Sequence, residues 1–195
     1  MKSLYSFIVR PLNERYDNTR NIDGKSLIIN TSIENHRFVS KKAVVVSTPA
    51  AYKTDINVGD ELYVHHNIFR RWYDMKGRER NSSTFFKDDL YFVSPEQIYM
   101  YNLKSHLNYC FVKPLKNQDL LRNRKEQPNV GIVKYTNNSL EAIGVLPGAL
   151  VTFTPDSEFE FIINGERLYC MKSNDIALTH EYQGNEEEVQ PNWAK

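Results

Sequence analysis

The strongest constraint on the fold is a set of sequence patterns that occurs twice along the chain, in the same order. Each pattern is a short run of β-branched or aromatic residues that ends at Pro, Gly or a polar turn, which is typical of short strands. The paired segments are Val9-Arg10-Pro11-Leu12 with Val112-Lys113-Pro114-Leu115, Val44-Val45-Val46 with Gly131-Ile132-Val133, the turns at Gly59 and Gly148, and Leu90-Tyr91-Phe92-Val93 with Leu168-Tyr169-Cys170-Met171. Patterns that recur in order, while the loops between them shorten, indicate two diverged copies of one domain.

The pattern of short strands predicts an all-β protein built from small barrels or sandwiches. No segment has the periodicity of a long amphipathic helix. We expect the boundary between the copies near Leu103, which gives domains at 1–103 and 104–182. The remaining 183–195 contain three consecutive glutamates, and we expect an acidic, disordered tail there.

Composition narrows the possible classes of function. The net charge is +1, from 25 basic and 24 acidic residues, and it does not favour general binding to nucleic acid or to membrane surfaces. The sequence contains no apolar run as long as a membrane helix, and its first residues become polar too soon for a secretory signal. We therefore expect a cytoplasmic protein in which Cys110 and Cys170 are reduced, buried thiols that do not form a zinc site.

Three consecutive aliphatic residues, Leu27-Ile28-Ile29, stand in a polar run that extends from Arg15 to Arg37. The flanks show neither strict alternation nor a helical repeat, and their Asn, Asp, Gly and Ser residues favour turns and loops. Two interpretations are open from spacing alone. The aliphatics form either a short strand folded into the core or an exposed binding site on a loop at about 17–37.

The two copies also differ in an insert at about 65–86 of the first copy. This insert is predicted to form a hairpin with its turn near Lys76-Gly77. The equivalent part of the second copy is shorter, and its Asn164-Gly165 pair predicts a two-residue hairpin turn. In place of the aliphatic tripeptide, the second copy has only Leu120-Leu121 beside charged residues.

Each copy resembles a GroES-type co-chaperonin, the ten-kilodalton lid of the chaperonin cage. The shared motifs are a strand that ends in Arg/Lys-Pro-Leu, an aliphatic tripeptide on the next loop, a valine-rich strand, a Val-Gly-Asp turn and a Ser-x-x-Asp-Ile end. They are present here as Arg10-Pro11-Leu12 and Lys113-Pro114-Leu115, Leu27-Ile28-Ile29, Val44-Val45-Val46, Val58-Gly59-Asp60 and Ser173-Asn174-Asp175-Ile176. The resemblance covers nearly the whole chain and implies two tandem GroES-like small β-barrel domains.

The resemblance implies a lid that binds a GroEL-type chaperonin and encloses unfolded client proteins. Leu27, Ile28 and Ile29 would enter an apolar groove of the chaperonin, and Gly24 and Ser32 would be the hinges of a mobile loop. The chain itself would need no cofactor, because the partner chaperonin uses the ATP. It would form a homo-oligomeric ring, for which seven chains are favoured.

Three departures from the family pattern bear on this expectation. The second copy lacks a convincing tripeptide, the family's roof hairpin is reduced in the first copy, and the insert around Trp72 has no family counterpart. Phe69, Trp72 and Tyr73 of the insert are candidate contacts to a client or to a roof. The divergence resembles that of co-chaperonins encoded by bacteriophages, for which the location would be the host cytoplasm.

Some features of the sequence are also typical of functions other than a lid. Aromatic residues among arginines around Trp72 are also typical of single-stranded nucleic-acid binding, although the balanced charge argues against it. A metal site at His36, His65 and His66 is not favoured, because adjacent residues on a strand point to opposite faces. The chain is not expected to be an enzyme, and a barrel kept as a structural or assembly module is a further alternative.

Overall fold

The computed structural model of the chain describes residues 3–22, 25–28, 32, 35–116 and 126–181. The chain divides into two compact units, Met1–Asn102 and Leu103–Lys195. Strands dominate both units, and the described residues contain one short α-helix, so the prediction of an all-β protein is confirmed. Within the described residues, no helix is both long enough and apolar enough to cross a membrane. The predicted tail at 183–195 and the Leu120-Leu121 tip lie outside the described residues.

The first unit contains a main sheet and two separate hairpins. Its strands are β1 (Phe7–Pro11), β2 (Thr19–Ile22), β3 (Lys25–Ile28), β4 (Lys42–Ser47), β5 (Glu61–Val64), β6 (Arg71–Tyr73), β7 (Glu79–Asn81), β8 (Phe85–Lys87), β9 (Leu90–Val93) and β10 (Ile98–Tyr101). The main sheet has the order β10-β5-β4-β1-β9-β8, while β2 pairs with β3 and β6 pairs with β7. Short 3-10 helices span His36–Phe38, His66–Ile68 and Pro95–Gln97.

The second unit contains one sheet and one helix. After the short β11 (Lys104–Ser105), its elements are β12 (Tyr109–Lys116), β13 (Glu126–Tyr135), α1 (Asn138–Ala142), β14 (Leu150–Phe153), β15 (Phe159–Ile163), β16 (Glu166–Lys172) and β17 (Ile176–His180). The sheet order is β15-β16-β12-β13-β14-β17. A 3-10 helix at Ser173–Asp175 precedes the last strand, as the one at Pro95–Gln97 precedes β10 in the first unit.

The two sheets repeat one topology and one register. In the first unit β1 lies between β4 and β9, and in the second unit β12 lies between β13 and β16. All four pairs are antiparallel. The pair Phe7–Val93 of the first unit corresponds to Cys110–Met171 of the second. In the same way, Val9–Tyr91 corresponds to Val112–Tyr169, and Pro11–Ala43 corresponds to Pro114–Gly131. The duplicated patterns of the sequence therefore occupy the same positions in the two sheets.

Hydrogen bonds of the two glycine turns show how the valine-rich strands of the two copies align. The N–H of Gly59 donates to the carbonyl of Val45 over 2.9 Å, and the N–H of Gly148 donates to the carbonyl of Val133 over 2.8 Å. Val45 thus corresponds to Val133, which shifts the valine-rich segments by one residue relative to the prediction. The shift matters because neighbouring residues on a strand face opposite sides of the sheet.

The predicted all-β class holds, but the sheets are not closed into the small β-barrels that the resemblance implies. In the described part of the chain, no pairing joins β8 to β10 or β15 to β17. Closure of a sheet requires its edge strands to meet along a continuous ladder. The edge strand β8 has only three residues and a register shift between Phe85 and Lys87, so it offers no such ladder.

Each unit has its own buried cluster of apolar side chains. The cluster of the first unit includes Phe7, Val9 and Tyr91, and that of the second includes Cys110, Val112 and Met171. Cys110 and Cys170 are both buried and free of disulfide bonds, as predicted. Burial raises the pKa of the Cys110 thiol to about 12, with a smaller contribution from Asp175, so this thiol stays protonated and unreactive at neutral pH.

Both predicted hairpin turns are confirmed. The insert forms the hairpin β6–β7, with Gly77 between the strands at a φ of 71°. In the second unit, Ile163 lies opposite Glu166, and the two turn residues Asn164 and Gly165 have φ values of 52° and 81°. Positive φ at both positions is the requirement of a type I′ turn, which Asn-Gly meets at low cost.

Candidate partner-binding arm

Strands β2 and β3 form a two-stranded hairpin that is not part of the main sheet, and we refer to it as the arm. Thr19 lies opposite Ile28, and Ile22 lies opposite Lys25. A short strand at the aliphatic residues was one of the two interpretations left open by the sequence, whereas its pairing with Thr19–Ile22 is a finding of the structure. Antiparallel pairing satisfies backbone groups of the run, although its side chains do not alternate between apolar and polar.

The arm exposes two of the three aliphatic residues. Leu27 is 54% exposed and Ile28 is 63% exposed. Adjacent residues on a strand point to opposite faces, so both faces of β3 are open to solvent at these positions. The interpretation that Leu27 and Ile28 are folded into the core is therefore wrong.

The four arm side chains whose burial the structure describes are all exposed. Besides Leu27 and Ile28, the side chains of Thr19 and Lys25 are also exposed. A single two-stranded hairpin is at best marginally stable in water. The exposed Leu27 and Ile28 therefore contribute little to the stability of the hairpin and leave apolar surface in contact with water.

The other predicted loop residues are described only in part. Ile29, the third residue of the tripeptide, and Gly24, the predicted first hinge, lie outside the described residues. Ser32, the predicted second hinge, is exposed. The structure therefore describes two of the three aliphatic residues, Leu27 and Ile28.

The root of the arm is held by backbone contacts between its two ends. Tyr16 forms a bridge with Val39, and the N–H of Asp17 donates to the carbonyl of Phe38 over 2.7 Å. Both Tyr16 and Val39 belong to the buried cluster of the first unit. The arm therefore projects from an anchored base.

The hairpin insert packs against this root. The backbone N–H of Arg71 donates to the hydroxyl of Tyr16 over 2.8 Å, and the Arg71 guanidinium lies 4.9 Å from the centre of the Tyr16 ring. Arg15 donates to the side-chain oxygen of Asn81 over 3.0 Å and to the carbonyl of Phe69 over 3.1 Å. These contacts could not be predicted from the sequence, because the partners are more than 50 residues apart and follow no motif.

The three candidate contact residues of the insert, Phe69, Trp72 and Tyr73, differ in their exposure to solvent. Phe69 is fully buried, and its ring packs edge-on against Tyr91 at 4.9 Å between centroids. It is a core residue and cannot contact a client or a roof, so that prediction was wrong. Trp72 and Tyr73 are 43% and 50% exposed, and their contact with a client or a roof stays a prediction.

Two arginines of the insert are occupied by carboxylates of the same hairpin. Arg71 lies 2.9 Å from Glu79, and Arg80 lies 3.0 Å from Asp74. Backbone hydrogen bonds, chiefly from the N–H of Arg78, lower the pKa of Asp74 and keep it ionised. Because these cations are paired, they are weaker candidates for holding the phosphates of a nucleic acid.

The histidines are arranged differently from the prediction. Strand β5 ends at Val64, and His65 caps the 3-10 helix that begins at His66. The rings of His65 and His66 therefore stack at 4.3 Å between centroids instead of pointing to opposite faces. No group of three or more His, Cys, Asp or Glu among the described residues has the geometry to hold a metal ion.

Comparison with known proteins gives no family for this chain. No protein-family model matches it, and no curated protein matches it. The function is therefore inferred from the sequence motifs and from the geometry of the arm.

Proposed function

We propose that the protein is a co-chaperonin lid, which binds a GroEL-type chaperonin through the arm and encloses folding clients. The observation that carries the proposal is the exposure of Leu27 and Ile28 on a hairpin that lies outside the main sheet. The repeated register of the two sheets supports it further, because the motifs of the resemblance fall at equivalent positions in both units.

Binding through one arm is expected to be weak. Burying an aliphatic side chain is worth about 1.5–3 kcal/mol, while ordering the backbone costs about 1–2 kcal/mol per residue. A ring of chains that engages several arms at once gains affinity through effective concentration, by about 10²- to 10⁴-fold. Weak individual contacts then allow the nucleotide state of the chaperonin to release the lid.

The proposed assembly is a ring of seven chains, each of which contributes the arm of its first unit. If both units instead alternated around one ring, a ring with an odd number of positions could not be built from whole chains. Native mass spectrometry tests the ring of seven chains directly, and a chain count other than seven contradicts it.

Nucleotide-dependent co-migration with a chaperonin tests the function. The purified protein and a GroEL-type ring are passed over a size-exclusion column with ATP, with ADP or without nucleotide. We expect co-migration that depends on nucleotide and is abolished when Leu27, Ile28 and Ile29 are replaced together by serine. Co-migration that the triple variant retains would show that another surface binds.

The matched control is an exposed aliphatic residue of the second unit. Ile162 on β15 is 65% exposed, close to the value for Ile28, so Ile162→Ser removes a similar apolar surface. This variant should co-migrate as the unchanged protein does. If the unchanged protein fails to bind in every nucleotide state, the lid is excluded and the alternative of an assembly module gains support.

A further inference from the structure

The hairpin insert is firmly attached to the core of the first unit. In its first part, Ile68 and Phe69 are fully buried. In its last part, the hydroxyls of Ser82 and Thr84 donate to the carbonyl of Ile68 over 2.6 and 3.0 Å. Because the two ends of the insert meet at one buried residue, the hairpin between them is fixed to the unit.

The carboxylate of Asp74 organises the turn of the insert. Its Oδ1 atom accepts the backbone N–H groups of Lys76 and Arg78 over 2.9 Å each. Its Oδ2 atom accepts a hydrogen bond from the guanidinium of Arg80 over 3.0 Å. Hydrogen bonds to an ionised carboxylate are stronger than those between neutral groups, so the hairpin is a stiff element.

Arg15, which lies just before the arm, connects three parts of the first unit. Its guanidinium donates to the carbonyl of Phe69 and to the side chain of Asn81, so it binds both sides of the insert. The same guanidinium lies 5.2 Å from the centre of the Tyr91 ring on β9. The backbone carbonyl of Arg15 accepts the N–H of Ser40, at the returning end of the arm, over 2.9 Å. One residue therefore links the insert, the main sheet and the root of the arm.

Tyr16 provides a second link between the insert and the root. Its hydroxyl accepts the backbone N–H of Arg71 over 2.8 Å, and its ring lies 4.9 Å from the Arg71 guanidinium. Its backbone forms the bridge to Val39 at the returning end of the arm. The side chains of Arg15 and Tyr16 thus bind the insert, while their backbones bind the returning end of the arm.

We propose that the insert is a brace that positions the arm for its partner, with Arg15 and Tyr16 as the positioning residues. The proposal rests on the function proposed above. An arm with a fixed root loses less orientational freedom on binding, and such preorganisation raises affinity without a new contact. In a ring, fixed roots also hold several arms at a defined spacing, which raises the effective concentration of each further arm.

Hydrogen exchange measured by NMR on the full-length protein tests the brace without any partner. The amides of Asp17 and Ser40 donate hydrogen bonds across the root and report on its opening. Arg15→Met removes the donors to the insert and keeps a long side chain. We expect both amides to exchange about three- to tenfold faster in this variant. The amide of Val45 in β4 should keep its rate, which shows that the main sheet is intact.

A second variant and a control complete the exchange experiment. Tyr16→Phe removes only the hydroxyl that accepts the N–H of Arg71, and it should accelerate the same two amides if Arg15→Met does not fold. Arg78→Met changes an exposed arginine of the same insert and should exchange as the unchanged protein does. Unchanged exchange of Asp17 and Ser40 in the folded variants would overturn the proposal.

Isothermal titration calorimetry with a monomeric chaperonin apical domain tests the positioning. Arg15→Met and Tyr16→Phe should weaken binding about three- to tenfold, although Leu27 and Ile28 are intact. Faster exchange at the root together with unchanged affinity would overturn the positioning role. If the unchanged protein does not bind the apical domain, the lid function fails and so does positioning for this partner, whereas the exchange rates still decide whether the insert holds the root.

Discussion

Replacing Leu27 and Ile28 together by serine should weaken the binding of one arm to an isolated chaperonin apical domain by roughly 20- to 300-fold. Full burial of a Leu or Ile side chain is worth about 1.5–3 kcal/mol. Leu27 is 54% exposed and Ile28 is 63% exposed, so burying the remainder is worth about 0.8–1.6 and 0.9–1.9 kcal/mol respectively. The loss of both contributions, about 1.7–3.5 kcal/mol, corresponds to the stated change in Kd.

The assay is isothermal titration calorimetry with the apical domain as a monomer, so that several arms cannot bind one partner together and mask the loss. The variant should keep the thermal unfolding temperature of the unchanged protein, because both side chains are exposed. Ile162→Ser again serves as the control of similar exposure. The reasoning is refuted if the double variant loses less than threefold in affinity, or if the control loses as much.

Three further predictions concern stability. The folded-state pKa of His66 is lowered to about 4 from 6.5, so its contribution to stability is complete above pH 6.5 and is lost as pH falls towards 4. Urea unfolding should show about 1–2 kcal/mol of destabilisation in acid, after allowance for the partial exposure of the ring. The His66→Gln variant should lose this pH dependence, and a variant with the same pH dependence as the unchanged protein would contradict the reasoning. Gly131→Ala would put a methyl group against the Val112 side chain and 2.6 Å from the carbonyl oxygen of Lys113. The variant should lose about 1–3 kcal/mol of unfolding free energy in the same assay, and a neutral result would contradict the close approach of β12 to Gly131. Phe69→Ala should cost about 3–5 kcal/mol and Trp72→Ala less than about 1 kcal/mol in thermal unfolding, and equal costs would argue against the core position of Phe69.

The strands and their duplication could be predicted because their signals are local. A run such as Leu90-Tyr91-Phe92-Val93 is bounded by turn residues and repeats later in the chain, so its type and its counterpart follow from the sequence. The Asn164-Gly165 turn is equally local, because its positive φ values are a property of the two residues themselves. The repeat also predicts a boundary near Leu103, and the structure divides the chain between Asn102 and Leu103.

Features that depend on distant partners could not be predicted in the same way. Whether a sheet closes depends on how its two edges meet, and the short, irregular β8 decides this in the first unit. Phe69 resembles Trp72 and Tyr73 in sequence but packs on Tyr91, 22 positions later in the chain. The contacts of Arg15 and Tyr16 with the insert are likewise tertiary.

The exposure of the aliphatic residues was the least predictable part of the candidate site. Spacing alone allowed Leu27 and Ile28 to be core residues or surface residues, because a run of three aliphatics suits either. Only the separation of β2 and β3 from the main sheet distinguishes the two interpretations. The resemblance to co-chaperonins implied that these two residues are exposed, as the structure shows, whereas their binding to a chaperonin stays a prediction.

The most direct test of the lid is to observe the arm itself while it binds. Leucine and isoleucine methyl groups are isotopically labelled, and their NMR signals are followed as an intact GroEL-type ring is added with ATP. The proposal predicts that the signals of Leu27 and Ile28 broaden strongly, while that of Ile162 changes only as overall tumbling slows. Unchanged signals at Leu27 and Ile28 in a complex that forms nonetheless would contradict it.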